Sequence, residues 1–196
     1  MPFWSTDFSQ NKTLSDPKRN FRFIVEFGGI AATPGGSLAW YAKTAQKPSF
    51  AVANAEHKYL NHTFNYPGSI TWNPITIVMV DPADPDVSAT FADIMTQAGY
   101  APPTNTTSLG TVSKAKAASA LGAITVTQID SNGAPLETWT LWNPFIEDIK
   151  FGDSLAYGDD NLSEISVTLR YDWARIETTH DSAAAGGSGG REFFKP

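Results

Sequence analysis

The sequence predicts a mainly β protein, a β-barrel or sandwich of antiparallel strands with one or two flanking α-helices. Three observations carry that expectation. From Glu164 to Trp173 the odd positions (Ile165, Val167, Leu169, Tyr171, Trp173) are apolar and the even ones (Glu164, Ser166, Thr168, Arg170, Asp172) polar. This period of two gives a strand one dry and one wet face. Asn132-Gly133 stands between two further strand-like runs, and Asn-Gly is the dipeptide best suited to a hairpin turn. Hydrophobic residues make up 41% and aromatic residues 12% of 196 residues, enough for one domain with a substantial core.

In chain order, residues 1–19 are polar with scattered aromatics (Phe3, Trp4, Phe8) and read as an extended N-terminal arm. The β-rich domain is expected over 20–177. Its first strand holds Phe21, Phe23, Val25 and Phe27 and stops at Gly28-Gly29; Leu38 to Thr44 is a second candidate. A third runs from Val52 to Asn65 with irregular patterning and ends at Tyr66-Pro67-Gly68-Ser69. Ile70 to Val80 is apolar on both faces around Trp72-Asn73-Pro74, which suggests a strand covered on both sides. Phe91, Ile94, Met95 and Ala98 have helical spacing, with Ser88 as N-cap and Gly99 as the stop. Lys114 to Leu121 is alanine-rich, a short helix or a link. Strands are then expected at Ala123 to Asp130, Leu136 to Trp142 and through the aromatic-rich stretch ending at Gly152, before the long alternating strand. Residues 178–196, with Ala/Gly/Ser from Ala183 to Gly190, read as a flexible C-terminal tail.

The absence of cysteine excludes disulfides and thiolate metal sites. No apolar run reaches the roughly 18 to 20 residues of a membrane helix, so a soluble protein is expected. The net charge is −6, and −5 of it lies between Pro144 and Trp173, where seven acids meet two bases. Such a balance disfavours a grip on nucleic acid, which rests on Lys and Arg contacts to phosphate.

No catalytic constellation is legible. His57 and His62, read as members of one strand, point to opposite faces and cannot share a metal. Glu147 and Asp148 are neighbours, not carboxylates facing across a cleft. Asp81, Asp84 and Asp86, and Asp153 with Asp159-Asp160, are explained by capping and turns and lack calcium-loop spacing. Trp40, Trp72, Trp139 and Trp142 suit core packing, with a sugar-binding face as the alternative.

Several segments together resemble the tail tube proteins of contractile-tailed bacteriophages. They are Tyr59-Leu60-Asn61-His62-Thr63-Phe64 with Tyr66-Pro67-Gly68, Thr71-Trp72-Asn73-Pro74-Ile75-Thr76, the Val80-Asp81-Pro82 loop, and Trp139 to Ile146 leading to Ile165 to Trp173. The resemblance covers roughly Asn20 to Trp173. It implies a tail-tube-like fold, shared with tube proteins of type VI secretion and other contractile injection systems. It implies hexameric rings whose lumen is one continuous β-barrel, stacked inside a contractile sheath as a conduit for DNA in the virion tail, assembled in the host cytoplasm. The implied partners are the chain itself, a sheath protein, a baseplate or tube initiator and a tape-measure protein. DNA would pass without specific binding, and the resemblance implies no membrane binding, no enzymatic activity, no cofactor and no metal.

A barrel of roughly 16 to 18 strands leaves only a small aqueous channel, so a lumen wide enough for duplex DNA needs strands from several subunits. Lumen-lining candidates are Glu147, Asp148, Glu164, Ser166, Thr168, Arg170 and Asp172, an acid-rich wall that repels phosphate. Ring or stacking contacts are expected at Phe3, Trp4, Phe8, Tyr59, His62, Phe64 and Tyr66. The alternatives are a type VI or other injection-system tube protein, and a monomeric carbohydrate-binding β-sandwich.

Overall fold

The computed structural model describes residues 17–30, 42–84, 86–104, 110–158, 160–179 and 190–194. Nine of its strands form two sheets. One sheet runs β1 (Phe23–Phe27), β6 (Ile124–Ile129), β7 (Pro135–Trp142), β10 (Trp173–Thr178) and β11 (Arg191–Phe193). The other runs β2 (Ala42–Ala45), β5 (Ile75–Val80), β9 (Glu164–Arg170) and β8 (Phe145–Lys150). The remaining two, β3 (Phe50–Tyr59) and β4 (His62–Trp72), pair only with each other among the described residues. Every pairing is antiparallel. Among the described residues there are two helices, α1 (Val87–Gln97) and α2 (Lys114–Leu121).

The core follows from the alternation. Ile165, Val167 and Leu169 of β9 and Ile75, Ile77 and Met79 of β5 are buried from one sheet; Val25, Phe27, Ile124, Val126 and Leu141 are buried from the other. Helix α1 adds Val87, Phe91 and Ile94, and Phe91 meets Phe27 edge to face at 5.9 Å. The β6–β7 hairpin turns where Asn132-Gly133 predicts. Gly133 has φ +82°, and the Asp130 carboxylate accepts from the backbone of Asn132 (2.7 Å) and Ala134 (2.8 Å).

Several expected boundaries differ, each for a physical reason. The Glu164–Trp173 run is two strands: β9 ends at Arg170, and Trp173 opens β10 in the other sheet, paired with Trp142. The buried side shifts from odd residues (Leu169, Tyr171) to even (Ala174), so Tyr171-Asp172 is a corner between sheets. The aromatic stretch before it also divides, with Asn143 at φ +50° separating β7 from β8. The single strand expected at Val52–Asn65 is a hairpin turning at Leu60-Asn61, and Tyr66 to Ile70 lie inside β4 instead of ending a strand. Asn73-Pro74 divides Ile70–Val80 between β4 and β5, whose outward residues are only half-covered. Leu38–Tyr41 fall outside the described residues; the second strand is seen at Ala42–Ala45. Asp86, not Ser88, caps α1, accepting from Ala89 N at 2.8 Å, while Ser88 donates to Asp81. Arg191–Phe193, expected to belong to a flexible tail, is β11 against Ile176–Thr178.

One polar cluster stitches the sheets. Glu137 of β7, 7% exposed, faces Gln128 of β6. Lys47, just beyond β2, donates to Glu137 Oε1 (2.9 Å) and Gln128 Oε1 (2.8 Å); Lys18 and Trp139 Nε1 also donate to the Glu137 carboxylate. Burial pushes this carboxyl up, but the bonds from Lys18, Lys47 and Trp139 outweigh it and hold it at about 2, below its ordinary 4.5. Because folding lowers this pKa, the stabilisation is whole above the ordinary value and is lost as pH falls from 4.5 towards about 2. Glu137→Gln should therefore lower the unfolding free energy at neutral pH. In denaturant titrations it should also flatten the acid-side loss of stability relative to the unsubstituted chain.

Candidate assembly surfaces

The β3–β4 hairpin has an unusual environment. Every residue from Phe50 to Thr71 is exposed, although ten residues of strand extend about 33 Å and a lone two-stranded hairpin is marginal in water. Strand alternation and the cross-strand register sort its side chains. In the distal half, Tyr59 pairs with His62, His57 with Phe64 and Ala55 with Tyr66, so these six residues share one face. Asn54, Glu56, Lys58, Thr63 and Asn65 share the other. Nearer the base a bulge opposite Ala53 takes in Gly68 and Ser69, and Phe50, Val52, Ile70 and Trp72 continue the face that is polar further out. The hairpin thus carries an aromatic patch near its tip on one face and an apolar patch near its base on the other.

The tip adds a strained residue. Leu60 has φ +54° and is 87% exposed. A primed hairpin turn needs a positive φ at this position, a conformation natural to glycine and costly for leucine. At the base, Trp72 packs on Phe50 (5.1 Å), Phe194 (5.7 Å) and Tyr171 (6.0 Å), and Asn73 bonds Ser49 through both backbone and side chain.

The four expected contact residues Tyr59, His62, Phe64 and Tyr66 are therefore brought together. Phe3, Trp4 and Phe8 lie outside the described residues. Sequence reasoning missed Phe50, Val52, Leu60 and Ile70 in the hairpin. It also missed Leu155, Tyr157 and Leu162, which stand exposed in the loop between β8 and β9; their apolar character inside a polar loop was the available signal. The two histidines share a face instead of opposing each other, because the chain turns between them. Among the described residues no three His, Asp or Glu side chains gather as metal ligands.

The second surface is the outward face of β2-β5-β9-β8. Glu164, Ser166, Thr168 and Arg170 lie on it, half-exposed, beside Thr76 and Val78 of β5 and Asp148 and Lys150 of β8. Glu147, at the β8 bulge, accepts from Arg170 Nε (3.0 Å) and Nη2 (2.9 Å), and Lys43 pairs with Glu164. Lys43, Lys150 and Arg170 thus match Glu147, Asp148 and Glu164, and the face is charge-balanced, not acid-rich. Asp172 is set apart at the corner, with Lys114 of α2 (2.6 and 2.8 Å) and Asn143 (2.9 Å) holding its carboxyl below the usual range. The acidic excess counted along the sequence sits largely in the loop and corner.

Among the described residues the tryptophans form no open row. Trp72 is in the base cluster, Trp139 bonds Glu137, Trp142 stacks on Trp173 at 5.8 Å, and Trp40 is outside the described residues.

No family model and no curated protein matches the chain. Solved structures do match it. A chain in the extended sheath–tube complex of PVC, an extracellular contractile injection system, aligns with TM-score 0.62 and 18% identity over 89% of this chain and 99% of that one. A chain in the tube-terminating cap of the anti-feeding prophage gives 0.62 and 16% over 87% and 97%. One in the baseplate of the same prophage gives 0.58 and 14% over 83% and 96%. At these identities the likeness is one of fold, and that fold is the tail-tube-like architecture the sequence resemblance implies.

Since the distal aromatic face makes little contact within the chain, Tyr59→Ser with Phe64→Ser should change the unfolding free energy by about 1 kcal/mol or less. Chemical denaturation monitored by circular dichroism measures it.

Proposed function

We propose that this chain is the subunit of a tail tube, closing into hexameric rings that stack as a conduit for DNA inside a contractile phage sheath. The observation that carries the reading is the β3–β4 hairpin, which keeps apolar residues exposed on both faces while the rest of the chain builds a closed core. Exposed aromatic patches of this kind mark protein contacts, and aromatics anchor them. A repeating partner fits best, because stacked copies give each hairpin a site on a neighbour and cover strand edges that would otherwise pair without control.

The outward face of β2-β5-β9-β8 is the proposed wall of the lumen, lined by Glu147, Asp148, Glu164, Ser166, Thr168 and Arg170. Passage without holding needs no acidic excess. A charge-balanced wall whose cations are engaged by carboxylates, as Arg170 and Lys43 are, offers phosphate few free partners. Sheath, tube initiator and tape-measure protein are the proposed partners, the virion tail is the proposed location, and the role needs no catalysis. A second reading, the tube of an extracellular injection system with another cargo, is favoured by the fold neighbours, which come from such assemblies.

Negative-stain microscopy of the concentrated chain should show rings or tubes. The Tyr59→Ser, Phe64→Ser variant should remain monomeric there, and a variant forming normal tubes would contradict the role given to the hairpin. The wall has its own test. Ser166→Cys should react with a bulky maleimide polymer as a monomer and resist it inside tubes, whereas equal labelling would put this face outside the lumen. Nuclease-protected DNA within native particles separates the phage reading from the second.

A further inference from the structure

The carboxy-terminal strand has the marks of an exchangeable element. β11 adds to the outer edge of β10 through three residue pairs, Ile176 with Phe193, Glu177 with Glu192 and Thr178 with Arg191. The site reads more than backbone. A Cβ at Gly190 would lie 2.3 Å from the Thr178 carbonyl oxygen, so only glycine lets the chain approach there. Glu192 stands 3.8 Å from Arg175 Nη2. Phe194 plugs the hairpin base, 5.7 Å from Trp72 and 5.9 Å from Phe50, both nearly edge to face. Phe194 takes this seat at φ +61°, a conformation a bulky residue adopts only when its contacts outweigh the strain.

The connection is far longer than this pairing requires. Hairpins close with 2 to 5 residues, whereas residues 179–190 separate the two strands, and nine of those twelve are Ala, Gly or Ser. Eleven peptide steps from Thr179 to Gly190 can extend to roughly 36 Å, the scale of a domain. The pairing is short and its rings half-exposed, so release is cheap. Among the described residues part of the edge is also unpaired: Trp173–Arg175 have no β11 partner, and the buried Arg175 Nε has no hydrogen-bond partner.

We infer that the groove formed by the β10 edge, Arg175 and the Phe50–Trp72 pair is an acceptor site for the C-terminal strand of a second copy. Neighbouring subunits of the assembly would then exchange β11. The contacts are the same whether the strand comes from its own chain or a neighbour, so local concentration decides between them. A dilute monomer keeps its strand, and a packed array shares it. This rests on the assembly proposed above, and it makes the hairpin base sensitive to the neighbour's carboxy terminus through Phe194.

The chain has no cysteine, which makes the test direct. Thr178→Cys and Arg191→Cys single variants are mixed, assembled and mildly oxidised, then run on denaturing gels without reductant. Exchange predicts a disulfide-linked dimer from mixed tubes and none from either variant alone. The Thr178→Cys, Arg191→Cys double variant, oxidised while dilute, should stay a monomer with an internal disulfide. Tubes seen by microscopy that give no mixed dimer overturn the exchange and leave the tube reading intact. If the unsubstituted chain forms no rings or tubes, both fall. Should either variant alone fail to assemble, Ile176→Cys with Phe193→Cys probes the same register and is judged by the same outcomes.

Discussion

The constraint on which this structure turns is that a two-stranded hairpin cannot dry either of its faces alone. Sheets become stable by covering a face with another layer. Elsewhere the chain obeys that rule, with β5 and β9 packed across the core from β1, β6 and β7, and α1 covering part of what remains. From Phe50 to Thr71 it does not, and Tyr59, Phe64, Tyr66 and Ile70 stay in water at 45% exposure or more. The layer missing here is the one the proposed assembly would supply. At the hairpin base Trp72 packs on Phe50, Tyr171 and Phe194, which ties the hairpin to the rest of the fold.

The same logic organises the charges. On the outward face of β2-β5-β9-β8 the carboxylates Glu147 and Glu164 have cations within reach, drawn from β9 itself and from β2. Glu137 has two lysines as well as Trp139, but it is buried and ties the sheets together. Exposed pairs of the first kind contribute little stability and leave a surface with few free charges. The buried cluster contributes more and makes the fold sensitive to acid. Charge thus serves the core in one place and a passive surface in the other.

Much of the fold is legible in the sequence wherever a segment has one buried face. The β9 alternation, the helical spacing of Phe91 and Ile94, and the turn at Asn132-Gly133 all stand as the sequence predicts. The Tyr171-Asp172 corner was hidden because two strands of different sheets abut with patterns that splice into one. The hairpin was hidden for the opposite reason. With neither face buried, its sequence has no single burial period, and the alignment of Tyr59 with His62 and His57 with Phe64 appears only once the turn is placed at Leu60-Asn61. The charge balance of the outward face was beyond a local count, since Lys43 lies 121 residues from its partner Glu164. Arg191–Phe193 reads as tail because its strand identity comes from the β10 edge and not from its own composition.

The central claim is that β3 and β4 acquire their missing layer from other copies of the chain. Amide hydrogen exchange across residues 50–72, in the dilute monomer and in concentrated assemblies, tests it most directly. The account predicts fast exchange in the monomer and strong protection in the assembly along both strands. Equal exchange in the two states would contradict it, whatever else the assemblies looked like.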